Sequence, residues 1–272
     1  MEFTDLVEDR RSVHDYADDD LDRETIEAIL REAVYAPSSY NLQPWEFLVV
    51  GEDANRERLQ EVAYGQPQVT DAPVTLVVFG RLDPAAHVDR VLADQVEKGY
   101  RDEASAASTR ESIEAMREYS EAERRVWTAK STALAAMSLM FAARERGVAT
   151  CPMGGFDAEA LVEEFAVPDG YEPVMLVTMG YAAEDADDET LPRKFRRPVE
   201  EVTHFETFDP ETTDARAPVA GRRLNRRRPR APDQRATRLR PRARRRRLLP
   251  ASTTRLRRYR SARAGPARSR RR

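Results

Sequence analysis

Apolar residues at Ile26, Ile29, Leu30, Ala33 and Val34 recur at i, i+3, i+4, i+7 and i+8, which predicts an amphipathic helix over Asp22–Tyr35 that Pro37 closes. The period then changes. Glu46–Val50 is a short apolar run and predicts a strand; Pro73–Phe79 is longer, β-branched and apolar on both faces, as a central strand requires. Between them Arg56–Tyr64 predicts a helix, broken at Gly65-Gln66-Pro67. Residues 84–122 are charged and mostly helical, without clean punctuation. Val126–Arg146 is the longest apolar helix, lined by Ala133, Leu134, Ala136, Met137, Met140 and Phe141 and ended by Gly147. A helix apolar around most of its girth belongs in a core or a subunit interface. Thr150–Phe156 predicts a loop, Asp157–Phe165 a helix and Pro173–Tyr181 the third clear strand. An acidic loop, Glu184–Glu189, precedes a basic cluster at Arg193–Pro198. The expected class is α+β, one sheet among several helices, in a domain over residues 1–208 followed by a tail over 209–272.

The formal net charge of −3 conceals a division. Residues 1–216 hold 47 acidic and 22 basic side chains, whereas residues 217–272 hold 23 arginines, no lysine and one acid, Asp233. The acidic part keeps ordinary apolar periodicity, so it folds with a heavily charged surface, as adaptation to high salt would favour, and it does not suit nucleic acid. The tail lacks hydrophobic periodicity and is expected to be disordered. Its arginine excess would bind phosphates nonspecifically, as a nucleic-acid arm does. Arginine, proline and alanine in excess, without lysine, are also what a GC-rich gene yields when read out of frame, and that reading is preferred over the arm.

Cys151 is the single cysteine, which excludes an intramolecular disulfide and disfavours a thiolate metal cluster. His14, His87 and His204 show no metal-ligand spacing, so no metal site is expected. No run is long enough to span a bilayer and the acidic start lacks signal-peptide regions, so a cytoplasmic location is expected. Neither a dinucleotide-binding glycine fingerprint nor a P-loop is present.

Four segments carry candidate chemistry. Arg10-Arg11-Ser12 suits a phosphate, since guanidinium groups bind its oxygens bidentately and a hydroxyl adds a donor. Ala36-Pro37-Ser38-Ser39-Tyr40-Asn41-Leu42-Gln43-Pro44-Trp45 turns from helix to strand through polar residues. Thr150-Cys151-Pro152-Met153-Gly154-Gly155-Phe156 has a glycine pair that lets backbone approach a ligand and take a positive φ. Lys194-x-Arg196 is a second basic cluster. Each alone is commonplace: a helix end, a satisfied turn, a helix cap, a solvated charge run.

In this order, however, the four segments resemble the FMN-dependent nitroreductase family across residues 10–205. The resemblance implies a nitroreductase-like fold with a mixed or antiparallel central sheet flanked by helices. It also implies a homodimer with FMN in the cleft between subunits. Implied cofactor contacts are Arg10, Arg11, Ser12, His14, Pro37, Ser38, Ser39, Asn41, Gln68, Pro152, Met153, Gly154, Gly155, Lys194 and Arg196. The implied activity is hydride transfer from NADH or NADPH to the flavin. Reduction of a small-molecule acceptor, a nitroaromatic or quinone, follows in a ping-pong cycle, with no catalytic side chain because the flavin carries the chemistry. Same-fold reductive dehalogenation is one alternative, and a flavin-binding module without turnover, acting through the basic tail, is another. Two departures stand out. His14 occupies a position where the family usually carries arginine or lysine; an imidazole titrates near neutrality, which would make the flavin potential pH-dependent, or it serves as a neutral hydrogen-bonding group. Gly65 stands where asparagine is frequent, leaving Gln68 to approach the ring.

Overall fold

Four strands, β1 (Trp45–Val50), β2 (Val74–Arg81), β3 (Ala149–Met153) and β4 (Tyr171–Gly180), form one antiparallel sheet in the order β1-β2-β4-β3 in a computed structural model. The structure describes residues 2–184, 186–208 and 210. The tail expected over 209–272, apart from Pro210, lies outside the described residues, as does any arm for nucleic acid.

Side-chain alternation along β2 builds a core on each face of the sheet. Val74, Leu76 and Val78 point to one face, where α2 (Arg23–Ala33) and α7 (Glu121–Glu145) cover them with Ile26, Ile29, Leu139 and Met140. Val77 and Phe79 point to the other, against Leu59 of α3 (Asp53–Val62) and Leu161 of α8 (Ala158–Glu164). The central position expected for β2 is met. Its partner β4 carries Pro173 beside an irregularity in register at Val78/Phe79, where a residue without an N–H is tolerated.

Helix α7 begins with a reciprocal cap: Glu123 N–H donates to Ser120 Oγ at 3.3 Å and Ser120 N–H to Glu123 Oε2 at 2.8 Å. Its sheet-facing side is lined by Thr128, Ser131, Thr132, Ala135 and Ala136, all buried, and these small residues let the helix lie close to β2. The helix is not buried all round within one chain, since Val126 and Leu134 are 55% and 48% exposed. The unpunctuated stretch 84–122 resolves into α5 (Val88–Glu97), α6 (Glu103–Glu114) and a 3-10 turn, Ala115–Glu118. Leu92, Ala106 and Ile113 pack there on Leu42.

Two sequence expectations are corrected. Residues 149–153, assigned in part to a loop, form edge strand β3, with Pro152 opposite Val177. An edge strand pairs on one side only, so a proline can sit in it with its nitrogen turned outward. Within the acidic loop, Asp187–Thr190 is a short helix, α9, and the carboxylate of Asp188 on it accepts from His14 and Lys194. The segment 10–16 extends the sheet beyond β3: Ser12 bridges Thr150 in parallel and Tyr16 bridges Ala182.

Compact packing divides at Arg196, the C-terminal residue of the first unit. In the second, α10 (Val199–Val202) is described, with an Arg197–Glu201 ion pair at 3.5 Å.

Candidate functional site

Helix α1 (Phe3–Asp9) ends at Arg10, whose N–H bonds Leu6 O, and the chain turns extended through Arg11 and Ser12 toward β3. Val13 N–H donates to Thr150 O at 3.1 Å, which fixes Arg10–Ser12 at the sheet edge. The segment 188–196 returns across them. Arg11 Nη1 donates to the carbonyls of Asp188 (3.0 Å) and Leu191 (2.5 Å). In exchange, Arg193 donates to the carbonyls of Glu8 and, at 3.1 Å, Arg10. Two chain segments about 180 residues apart are thus stitched together by guanidinium donors.

Between them lies a cavity of about 180 Å³, lined by Arg11, Ser12, Arg193, Lys194 and Arg196 with Asp188 at its wall. Beside it is Arg10, with Nη1 buried and without a hydrogen-bond partner among the described residues. Burial first, and then the neighbouring charges of Arg193 and Arg196, lower the Arg10 pKa. A half-buried guanidinium with an unpartnered Nη1, crowded by like charges, is a group short of an anion.

Among the described residues Asp188 is the one carboxylate in the lining. It accepts from His14 Nδ1–H at 2.6 Å and from Lys194 Nζ at 3.0 Å. The His14 bond holds its carboxyl below the ordinary range, with Lys194 adding to the effect and burial opposing it. A depressed carboxyl contributes stability that is present above its unfolded value, near ~4, and lost as pH falls through the folded value. Asp188→Asn is therefore expected to lower the melting temperature at pH 6, and the difference from the parent should vanish by about pH 2. A difference independent of pH in thermal melts would contradict this role for the charge.

The other ring nitrogen of His14 lies 3.6 Å from Cys151 Sγ. Burial foremost, and then Asp188, push the Cys151 thiol up to about 11, so it stays protonated and unreactive near neutrality.

Residues 7–181 match the Nitroreductase family. The chain belongs to that family. An NADH dehydrogenase from Thermus thermophilus is 34% identical over 177 residues, 65% of this chain and 84% of its own length. YdgI from Bacillus subtilis, whose name assigns it to the NAD(P)H nitroreductases, is 33% identical over 188 residues, 68% of this chain and 90% of its own. A structure from Exiguobacterium sibiricum, solved in complex with FMN, superposes with a TM-score of 0.68 at 29% identity, covering 76% of this chain and 98% of that one. This nitroreductase is an NAD(P)H-dependent flavin oxidoreductase with FMN as its cofactor.

The other sequence-predicted positions of the nitroreductase fall in two further places. Pro152 and Met153 end β3, and Gly154 and Gly155 follow, exposed. Neither glycine takes a positive φ, contrary to expectation; what matters here is the missing Cβ. A Cβ on Gly154 would meet nothing within 4 Å, while Gly155 O accepts from Gln66 Nε2 at 2.6 Å. Gln68, nearly buried, donates to Gln66 Oε1 at 3.3 Å, so Gln66 links the glycine loop to α4 (Gln68–Asp71).

Pro37, Ser38, Ser39 and Asn41 form the third group. Ser38 precedes a 3-10 turn, Ser39–Asn41, and its Oγ accepts from Gln43 N–H at 2.9 Å. Asn41 lines a separate groove with residues of α5, not the arginine cavity. Asp188, Arg193 and Gln66 were missed as site residues. The first two lay in runs that read as solvated charge, and Gln66 stood in what read as a helix break.

Proposed function

We propose that the arginine cavity holds the FMN phosphate and that the protein uses NAD(P)H to reduce small acceptors such as nitroaromatics or quinones in a ping-pong cycle. The unpartnered, buried Nη1 of Arg10 carries this reading. A phosphate monoester would supply the acceptor atoms that Arg10 Nη1 lacks, with Ser12, Lys194 and Arg196 lining the cavity that receives it, while Arg11 and Arg193 brace the walls. Bound FMN supplies the chemistry, accepting hydride from NAD(P)H and delivering it to the acceptor. The chain's part is placement. Pro152–Gly155 present backbone without an obstructing side chain at Gly154, Gln68 is held by Gln66 for an approach to the ring, and His14 stands behind the cavity on Asp188.

The Pro37–Asn41 turn supports a homodimer. It borders a groove separate from the arginine cavity, so the turn of one subunit would complete the cofactor site of the other. Exposed Val126 and Leu134 on α7 supply apolar area for such an interface. Among the described residues no helix is long and apolar enough to cross a membrane.

The test is the visible spectrum of the purified full chain before and after anaerobic NADH or NADPH, alongside Gly154→Val. The parent should carry a flavin spectrum that bleaches. The variant should melt within a few degrees of the empty parent, since its side chain enters open space, yet bind FMN at least ~10-fold more weakly. A parent that takes up no FMN on reconstitution overturns the reading.

A further inference from the structure

The groove of about 510 Å³ between the Ser39–Asn41 turn and α5 combines two features that the arginine cavity does not account for. The first is charge. Both carboxylates lining the groove are neutralised: Asp94 pairs with Lys98 at 2.6 Å and Glu46 faces Arg81 at 3.9 Å. The side chains of Arg90 and His87, on the α5 side, make no ion pair or hydrogen bond among the described residues. In a domain carrying 47 acids against 22 bases, a groove whose acids are all matched and whose remaining guanidinium is unmatched favours an anion. The second is backbone strain. Tyr40, Asn41 and Gln43 hold φ values of 52°, 60° and 47°, half of the positive-φ non-glycine residues described in the chain. Such strain is retained where geometry serves a ligand.

Resting on the oxidoreductase reading, we propose that this groove selects NADPH over NADH by binding its 2′-phosphate through Arg90, with His87 as a second donor. The two nucleotides differ by that phosphomonoester alone. A guanidinium recognises it bidentately, and no carboxylate in the groove is left free to repel it. Asn41 belongs both to this groove and to the turn proposed to complete the partner subunit's cofactor site, so a nucleotide anchored here would lie on the face of the chain that borders that site.

The experiment compares the FMN-loaded parent with Arg90→Ala, Arg90→Lys and His87→Ala in steady-state oxidation of both nucleotides. In parallel, adenosine 2′-monophosphate and 5′-monophosphate are titrated calorimetrically. Arg90→Ala should raise KM for NADPH about tenfold and weaken the 2′-monophosphate similarly. KM for NADH, kcat and 5′-monophosphate binding should each move less than twofold. Arg90→Lys should fall between, and His87→Ala should show the same selectivity at smaller size. Equal shifts for both nucleotides, no shift for either, or a change confined to a carboxylate-bearing acceptor would overturn the proposal. A parent that oxidises neither nucleotide defeats the oxidoreductase reading instead. In that case 2′-monophosphate binding unaffected by Arg90→Ala still overturns the groove assignment on its own.

Discussion

Arg10→Ala is expected to weaken FMN binding about a hundredfold while leaving the FMN-free protein no less stable than its parent. The two halves of this outcome have one cause. In the empty protein the Arg10 guanidinium is partly desolvated, leaves Nη1 unpaired and sits among the charges of Arg193 and Arg196, which together lower its pKa. Removing it relieves an unfavourable arrangement. With a phosphate present the same group makes charge-assisted hydrogen bonds, each worth roughly 1.5–3 kcal/mol, and one to two of these correspond to a factor of about a hundred. Fluorescence titration of FMN into apoprotein at fixed ionic strength reads the first half, and thermal melts without FMN read the second. Unchanged FMN affinity would remove the phosphate from this cavity. A strongly destabilised apoprotein would show that Arg10 serves the fold instead.

Gly80→Ala is expected to cost about 2–3 kcal/mol of stability, a drop of roughly 4–12 °C in melting temperature for a domain of this size. A Cβ at position 80 of β2 would overlap the Thr128 hydroxyl of α7 and lie 2.8 Å from its Cγ2 and 3.1 Å from its Cβ. Thr128 is fully buried and branched at the crowded atom, so it cannot swing aside; the helix must lift from the sheet. The hydroxyl has no hydrogen-bond partner among the described residues, so Thr128→Ala alone should be mild. In the Gly80→Ala/Thr128→Ala double variant the overlap shrinks to the remaining Cβ, and at least ~1 kcal/mol of coupling should appear in denaturant melts. Strict additivity would place the cost elsewhere.

What the sequence disclosed depended on whether a local pattern matched a local cause. Helix α2 was legible because Ile26, Ile29 and Ala33 face one core and Asp22 caps the first turn through the Thr25 N–H. Strand β2 was legible because both of its faces are buried and its residues are apolar throughout. Strand β3 was not, since five residues containing Pro152 and followed by two glycines carry the punctuation of a loop; only the pairing with β4 makes them extended. The site divides in the same way. The order of motifs singled out Arg10 and Lys194, which the structure brings to one end of the sheet, while Asp188 in an acidic run gave no sign that His14 and Lys194 converge on it. Contacts made by long side chains across about 180 residues leave no period to detect.

The stitching of residues 7–11 to residues 188–193 also sets a timetable. The sheet and its two cores are complete by Gly180, but the cavity beside Arg10 acquires Arg193, Lys194 and Arg196 only once that later stretch has emerged and closed back on the start of the chain. On the proposed phosphate site, a nascent chain would therefore finish its core before it could retain a flavin. A product ending shortly after Gly180 would accumulate as a folded, colourless protein that an assay of solubility would pass and an absorbance reading would not.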